Sequence, residues 1–281
     1  GSTIKPFLAF SALEDNFVDR YFTIEDQGFF KLARSNHIFR DWKKNGHGSV
    51  DLKKAIYQSC DVFFYELSNK MGINNIFKSM NQFGFGERTG IDIPGEVEGL
   101  LPSKEWKKKR FNQVWYPGDT ISVGIGQGYF LATPIQLAVA TSIIANKGNK
   151  VVPKLLLSGG NSQINLVSNF NSNSYLSNIE YVKDSMVAVT SSDGTAYSSA
   201  QNLNFKLAGK TGTSQVFSLR GRDYDEDKIQ EKLKDHSLFV AFAPANTPKI
   251  ALALVVENGG SGSALAAPMA SKIIDYFLKK I

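Results

Sequence analysis

Ser2 stands three residues ahead of Lys5 in the opening run Ser2-Thr3-Ile4-Lys5-Pro6, and a Lys210-Thr211-Gly212-Thr213 run follows far downstream. Together these residues point to acyl transfer by a serine nucleophile with a lysine base. Positions i and i+3 share a helix face, so Lys5 is expected within hydrogen-bond reach of Ser2 Oγ. A serine that starts a helix also sits where unsatisfied N–H groups and the macrodipole favour an oxyanion. Pro6 suits the first turn, where its missing N–H would have no intrahelical partner.

Helices must carry the first part of this machinery and strands the last. Leu52–Met71 has apolar residues at helical spacing, stops before Gly72 and contains Ser59-Cys60-Asp61. Thr133-Pro134 opens a second helix that ends near Ala145, before Gly148. The segment from Asp26 to Gly48 reads as loop-like, and so does the Asn/Ser-rich stretch Ser158–Asn178, with weak strands as its alternative. Phe205–Val216, Ser237–Ala243 and Lys249–Glu257 read as strands. A charged insertion, Arg220–Asp235, separates the first two, and the turn Pro244–Pro248 makes the last two antiparallel neighbours. Ala264–Ile281 has amphipathic helical spacing and is expected to cover one face of the sheet. Helices first and consecutive strands last describe an α+β domain.

The 281 residues are 42% hydrophobic and 21% charged, the balance of a globular chain with a sizeable core. The longest apolar runs, Leu238–Ala245 and Ile250–Val256, have strand length and cannot span a bilayer. No basic, apolar and small-residue leader opens the chain, and its first residues are already its most reactive, so it is expected to be a fragment of a longer protein. A single cysteine excludes an internal disulfide. The net charge of +6 is spread out except at Lys104–Arg110, which reads as a solvated helix face and not as a nucleic-acid site. Gly124–Gly128 lacks the Lys-Ser/Thr of a phosphate loop and the spacing of a dinucleotide fingerprint.

Ser-x-x-Lys, Ser-x-Asn/Asp and Lys-Thr-Gly, in that order, form the signature shared by penicillin-binding proteins and serine β-lactamases. Further agreement lies in Gly124-Ile125-Gly126-Gln127-Gly128, Ile91–Glu96, Gly194-Thr195-Ala196 and Asp235-His236 before Leu238–Pro244. Across its whole length the chain resembles the transpeptidase domain of elongation-type class B penicillin-binding proteins of Gram-negative bacteria. The resemblance implies a serine β-lactamase/D,D-transpeptidase-like fold, an antiparallel sheet flanked by helices with a mostly helical subdomain. Residues 1–281 would be one transpeptidase domain without its first strands, its upstream pedestal domain and its membrane anchor. In the family two strands ahead of the nucleophile helix join the same sheet, so an uncovered sheet edge is expected here.

The resemblance also assigns roles. Ser2 attacks the penultimate D-Ala carbonyl of a peptidoglycan stem peptide, Lys5 is its base, and Ser59 relays a proton to the leaving group. Lys210 supplies a second positive charge. Thr211, Gly212 and Thr213 border the stem-peptide or β-lactam carboxylate, and the N–H groups of Ser2 and Thr213 serve the oxyanion. Asp61 replaces the more common asparagine and could pair with Lys5 or Lys210. The chemistry needs no cofactor. Cys60, His47, Asp41 and Asp26 are a feasible tetrahedral zinc set, and several family members carry zinc between the nucleophile helix and the second motif. The implied protein is inner-membrane anchored and faces the periplasm. It works with the glycosyltransferase and scaffold proteins of a rod complex, and binds no nucleic acid. The alternatives are a serine β-lactamase, for which Glu96 or Glu98 would have to activate water, and a β-lactam sensor domain.

Overall fold

The computed structural model describes residues 1–156, 167–168, 170, 172–216 and 230–281. Ser2–Ile4 form a single 3₁₀ turn that runs directly into helix α1, Lys5–Glu14, with Pro6 in its first turn. All of α1 from Lys5 to Leu13 is buried, so this helix is apolar all round and sits at the centre of the molecule. Phe7 and Phe10 pack on Phe83 at 5.1 and 5.8 Å, and Phe10 meets Phe170 at 4.8 Å. Each buried ring stabilises by roughly 1.5–3 kcal/mol. The turn carrying Ser2 is thereby fixed to the core.

The helical spacing over Leu52–Met71 resolves into two helices, α2 (Leu52–Tyr57) and α3 (Asp61–Gln82). Between them Ser59 has a φ of 58°, a left-handed conformation uncommon for a residue with a Cβ. Ser59-Cys60-Asp61 therefore lies in a helix break, not inside a helix. Apolar periodicity runs through such a break unaltered, because one left-handed residue leaves no mark on it. At Gly72 the backbone is again non-helical and α3 kinks, where the sequence pattern ends the helix.

The expected loop from Asp26 to Gly48 is instead built on short strands. β1 (Thr23–Asp26) pairs antiparallel with β4 (Gly48–Asp51), and β2 (Phe29–Lys31) with β3 (Ile38–Arg40). Strands this short show too little alternation to be read from sequence. Next come α4 (Lys104–Phe111), α5 (Pro117–Val123) and α6 (Pro134–Ala145). Thr133 and Gln136 form a capping box at α6, each side chain accepting from the other's backbone N–H. On α4 the expected solvated face has one exception, since Lys107 is only 2% exposed and pairs with Asp119 at 2.5 Å.

β5 (Asn149–Lys150) pairs with β6 (Val167–Ser168), and α7 (Tyr175–Ala188) and α8 (Tyr197–Ala200) follow. The Ser158–Asn178 stretch thus includes a short strand, in line with its weak-strand alternative, and the first turn of α7, which neither alternative contains. Residues 157–166, 169 and 171 of this region lie outside the described residues, as does most of the Arg220–Asp235 insertion.

The main sheet has the order β7-β8-β9, all antiparallel, from Ala208–Ser214, His236–Ala243 and Ile250–Val256. Strand β8 is buried from Ser237 to Ala243, which requires cover on both faces, and α6 and the last helix α9 (Ala267–Leu278) both pack on it. Strand β9 is half-buried throughout and, among the described residues, pairs only with β8. β7 and β9 are thus the two edges of this sheet among the described residues.

Candidate active site

Three elements converge at the start of α1. The first is the 3₁₀ turn with the half-buried Ser2, the second the break between α2 and α3, the third strand β7. Gly212 permits the closest approach. A Cβ there would lie 2.8 Å from Thr3 Cγ2 and 3.1 Å from Thr3 N, pushing β7 away from the nucleophile turn. The left-handed backbone of Ser59 aims both its carbonyl and its hydroxyl at lysine amines. Lys5 Nζ donates to Ser59 O at 2.9 Å, to Ser59 Oγ at 3.4 Å and to Asp61 Oδ1 at 2.6 Å. Lys210 Nζ donates to Ser59 Oγ at 2.7 Å and to Thr211 O at 2.8 Å. Asp61 therefore pairs with Lys5, settling between its two candidate partners. The amine of Lys5 bonds to Ser59 and Asp61, not to the Ser2 hydroxyl that helical spacing alone would offer it.

Two lysines share one nearby carboxylate in a buried site, and the consequence falls on Lys210. Burial first, and then repulsion from Lys5, push its pKa well below the ordinary lysine value. Because folding lowers this pKa, the unfolded chain binds more protons at Lys210 than the folded one, so its contribution to stability rises with pH between the folded-state pKa and the ordinary value of 10.5. Lys210→Met is accordingly expected to raise the melting temperature at neutral pH and to flatten the rise in stability with pH. The gain should be on the order of 1 kcal/mol or more, since each unit by which folding lowers the pKa corresponds to about 1.4 kcal/mol. Thermal melts from neutral pH upward measure it, and a large loss of stability would contradict the assignment.

Side chains outside the three motifs brace the site. Gln127 Nε2 donates to Thr213 O at 3.0 Å from the Gly-rich segment, and a Cβ at Gly126 would stand 2.3 Å from Gly1 O, beside the nucleophile. In a strand a residue's N–H and C=O point to the same side. Thr213 N–H is thus on the side of β7 that Gln127 and Gly1 occupy, away from β8. Thr195 Oγ1 and Thr211 Oγ1 are 2.7 Å apart. Gln127 and Thr195 lie in segments that carry the family resemblance, but the sequence assigns neither side chain a role. Their only signal was a polar side chain beside small residues.

Asp26, Asp41, His47 and Cys60 come together, all buried, with their ligand atoms within 4.8 Å of one another. Asp26 Oδ2 lies 2.7 Å from His47 Nδ1 and 3.4 Å from Cys60 Sγ, while His47 Nε2 is buried without a partner. Burial raises the Cys60 thiol and the Asp41 carboxyl, each further raised by a neighbouring carboxylate. Two carboxylates and a thiol packed on an imidazole are costly without a cation. The donor set and its spacing fit a tetrahedral divalent ion such as zinc. Two of these side chains also cap α3: Cys60 Sγ accepts from Phe63 N at 3.3 Å, and Asp41 Oδ2 accepts from Asp61 N at 2.7 Å and Val62 N at 3.1 Å.

A sequence model of the penicillin binding protein transpeptidase domain matches residues 1–275. The chain belongs to this family. It is 46% identical over 284 residues to the peptidoglycan D,D-transpeptidase MrdA of Acinetobacter baumannii, covering 99% of this chain and 42% of that protein. The crystal structure of Pseudomonas aeruginosa PBP2 in complex with WCK 5153 superposes with a TM-score of 0.89 at 40% identity, over 99% of this chain and 60% of that one. PBP2 from Helicobacter pylori in complex with MreC superposes equally well, at 36% identity, over 99% of this chain and 49% of that one. The chain spans less than half the length of the curated relative. Its fold is the penicillin-binding transpeptidase fold.

Within this family, hydrolysis would need a base for water beside the nucleophile. Glu96 instead accepts from Thr89 and from Gly90 N, and Glu98 pairs with Arg88 at 3.5 Å on the surface. Neither carboxylate hydrogen-bonds to the Lys5–Ser59–Lys210 cluster.

Proposed function

We propose that this chain is the crosslinking part of a peptidoglycan D,D-transpeptidase, with residues 1–281 as one catalytic domain. The observation that carries the reading is the buried convergence of two lysine amines and the Ser59 hydroxyl next to the Ser2 turn. Ser2 Oγ attacks the penultimate D-Ala carbonyl of a stem peptide, the C–N bond to the terminal D-Ala breaks, and an amine of a neighbouring stem resolves the ester. Lys5 receives the serine proton. Ser59, between Lys5 and Lys210, returns a proton to the departing amine. Asp61 holds Lys5 in place. The N–H groups of Ser2 and Thr213 receive the oxyanion. Lys210 with Thr211, Gly212 and Thr213 receives the carboxylate of the stem peptide or of a β-lactam.

The reading extends to setting and partners. Crosslinking consumes freshly polymerised strands, so a glycosyltransferase is the natural working partner. The likeness to a PBP2 that forms a complex with MreC supports a scaffold partner as well. The substrate lies outside the cytoplasmic membrane, which places the catalytic domain in the periplasm of an inner-membrane protein. Among the described residues no helix is long and apolar enough to cross a membrane. Asp26, Asp41, His47 and Cys60 hold a structural zinc that takes no part in acyl transfer.

Intact-mass measurement with a penicillin tests the reading. One drug adduct per chain should form and persist, and Lys5→Ala should slow its formation by roughly 10²–10⁴-fold, the worth of a positioned base. Rapid return to the unmodified mass with sustained nitrocefin turnover would instead identify a β-lactamase.

A further inference from the structure

Around helix α4 lies an arrangement that the acylation site does not use. Trp106, Phe111 and Tyr129 form a continuous aromatic patch, with ring centroids 5.2 Å apart for Trp106–Tyr129, 5.5 Å for Trp106–Phe111 and 5.6 Å for Phe111–Tyr129. Phe111 is 45% exposed. On the same helix Lys108, Lys109 and Arg110 are exposed and, among the described residues, form no ion pair. The register of α4 is fixed from below. Lys107 is buried against Asp119 with its amine 4.7 Å from the Tyr116 ring and 5.4 Å from the Tyr129 ring, while Lys108, Lys109 and Arg110 are exposed around the rest of the helix. A merely solvated face would not hold three mutually packed rings at its edge.

The patch is tied to the catalytic strand by two residues of chain. Tyr129 follows Gln127, whose side chain grips Thr213 O, and two Cα steps span at most about 7–8 Å. With the Gln127 side chain and its 3.0 Å hydrogen bond counted, Tyr129 Cα lies within about 16 Å of Thr213 O, a span that an elongated polymer crossing β7 can bridge. An exposed aromatic ring beside arginine, backed by two half-buried ones, is typical of binding surfaces, and unpaired cations select an anionic partner. We propose that this face of α4 with Tyr129 binds an uncrosslinked anionic glycan strand, pyranose rings resting on the aromatic patch and carboxylates of attached peptides meeting Lys108, Lys109 and Arg110. The proposal rests on the transpeptidase reading and names where that enzyme holds its polymeric substrate.

Fluorescent uncrosslinked strands with pentapeptide stems, titrated into the full chain at low and high salt, provide the test. A Lys108→Gln/Lys109→Gln/Arg110→Gln variant should bind strands about ten-fold more weakly, three exposed cations each contributing a modest share, and should lose most of the salt dependence. Phe111→Ser, at an exposed position, should weaken binding several-fold on its own. Penicillin labelling of the same samples reports separately on the acylation site. A chain that labels with penicillin but binds no strands, or variants that bind strands as the wild type does, would overturn the proposal and leave the transpeptidase reading standing. Preference for phosphatidylglycerol vesicles over strands would likewise overturn it, assigning the patch to a lipid surface. Absence of penicillin labelling would strike the catalytic reading instead.

Discussion

Ser2→Ala protein is expected to take up no penicillin at all, a fall on the order of 10⁶-fold if loss of a nucleophile here costs what it does in other serine acyl-transfer enzymes. Ser2 is the one serine in the chain with a lysine three residues on. A rival exists in Ser59, whose hydroxyl is 2.7 Å from Lys210 Nζ and 3.4 Å from Lys5 Nζ. Ser59 is only 7% exposed and is held in a left-handed backbone conformation, so a substrate carbonyl cannot approach it as it can approach the half-buried Ser2. Fluorescent penicillin labelling followed by peptide mapping separates the two. Labelling that survives Ser2→Ala, mapped to Ser59, would reverse their roles. The fold should be untouched, because the substitution removes a single hydroxyl from a half-buried turn.

The three motifs were legible in the sequence because their chemistry depends on residue type and order. The last two strands of the main sheet were legible because seven or so consecutive apolar or small residues on either side of a Pro-containing turn have few alternatives. What escaped was local backbone geometry. A left-handed Ser59 costs strain of about 1–3 kcal/mol, and neither hydropathy nor propensity records it, yet it turns one serine toward two lysines. The strands from Thr23 to Asp51 escaped because three or four residues cannot display a period. The partner of Asp61 escaped too, since both lysines lie far from it in sequence and only folding decides between them. Lys107 on α4 was hidden among like-charged neighbours, its burial set by Asp119 and two rings from other segments.

Loss of the metal should reach the catalytic site through α3. Cys60 Sγ and Asp41 Oδ2 accept the N–H groups of Phe63, Asp61 and Val62, so the residues that would hold zinc also satisfy the open end of the helix carrying Asp61. Asp61 in turn holds Lys5 at 2.6 Å. Removing the cation leaves two carboxylates and a thiol packed against His47 with only hydrogen bonds from backbone N–H groups and the imidazole to offset their burial, and the cheapest relief is for the cluster to open. Protein purified without added metal is expected to contain about one zinc per chain. His47→Ala or Cys60→Ser should lose the zinc together with several kcal/mol of stability. At about 2–4 °C per kcal/mol for a chain of this size, the melting temperature would fall by on the order of 10 °C. Acylation should slow in parallel, because Asp61 and Ser59 flank Cys60 and lose their fixed orientation toward Lys5. Zinc content, melting temperature and penicillin acylation rate, measured on the same preparations, test the chain of causes link by link. Metal-free protein that melts and acylates as the zinc-loaded form does would show that the four side chains close on one another without an ion, with Cys60 no more than a helix cap.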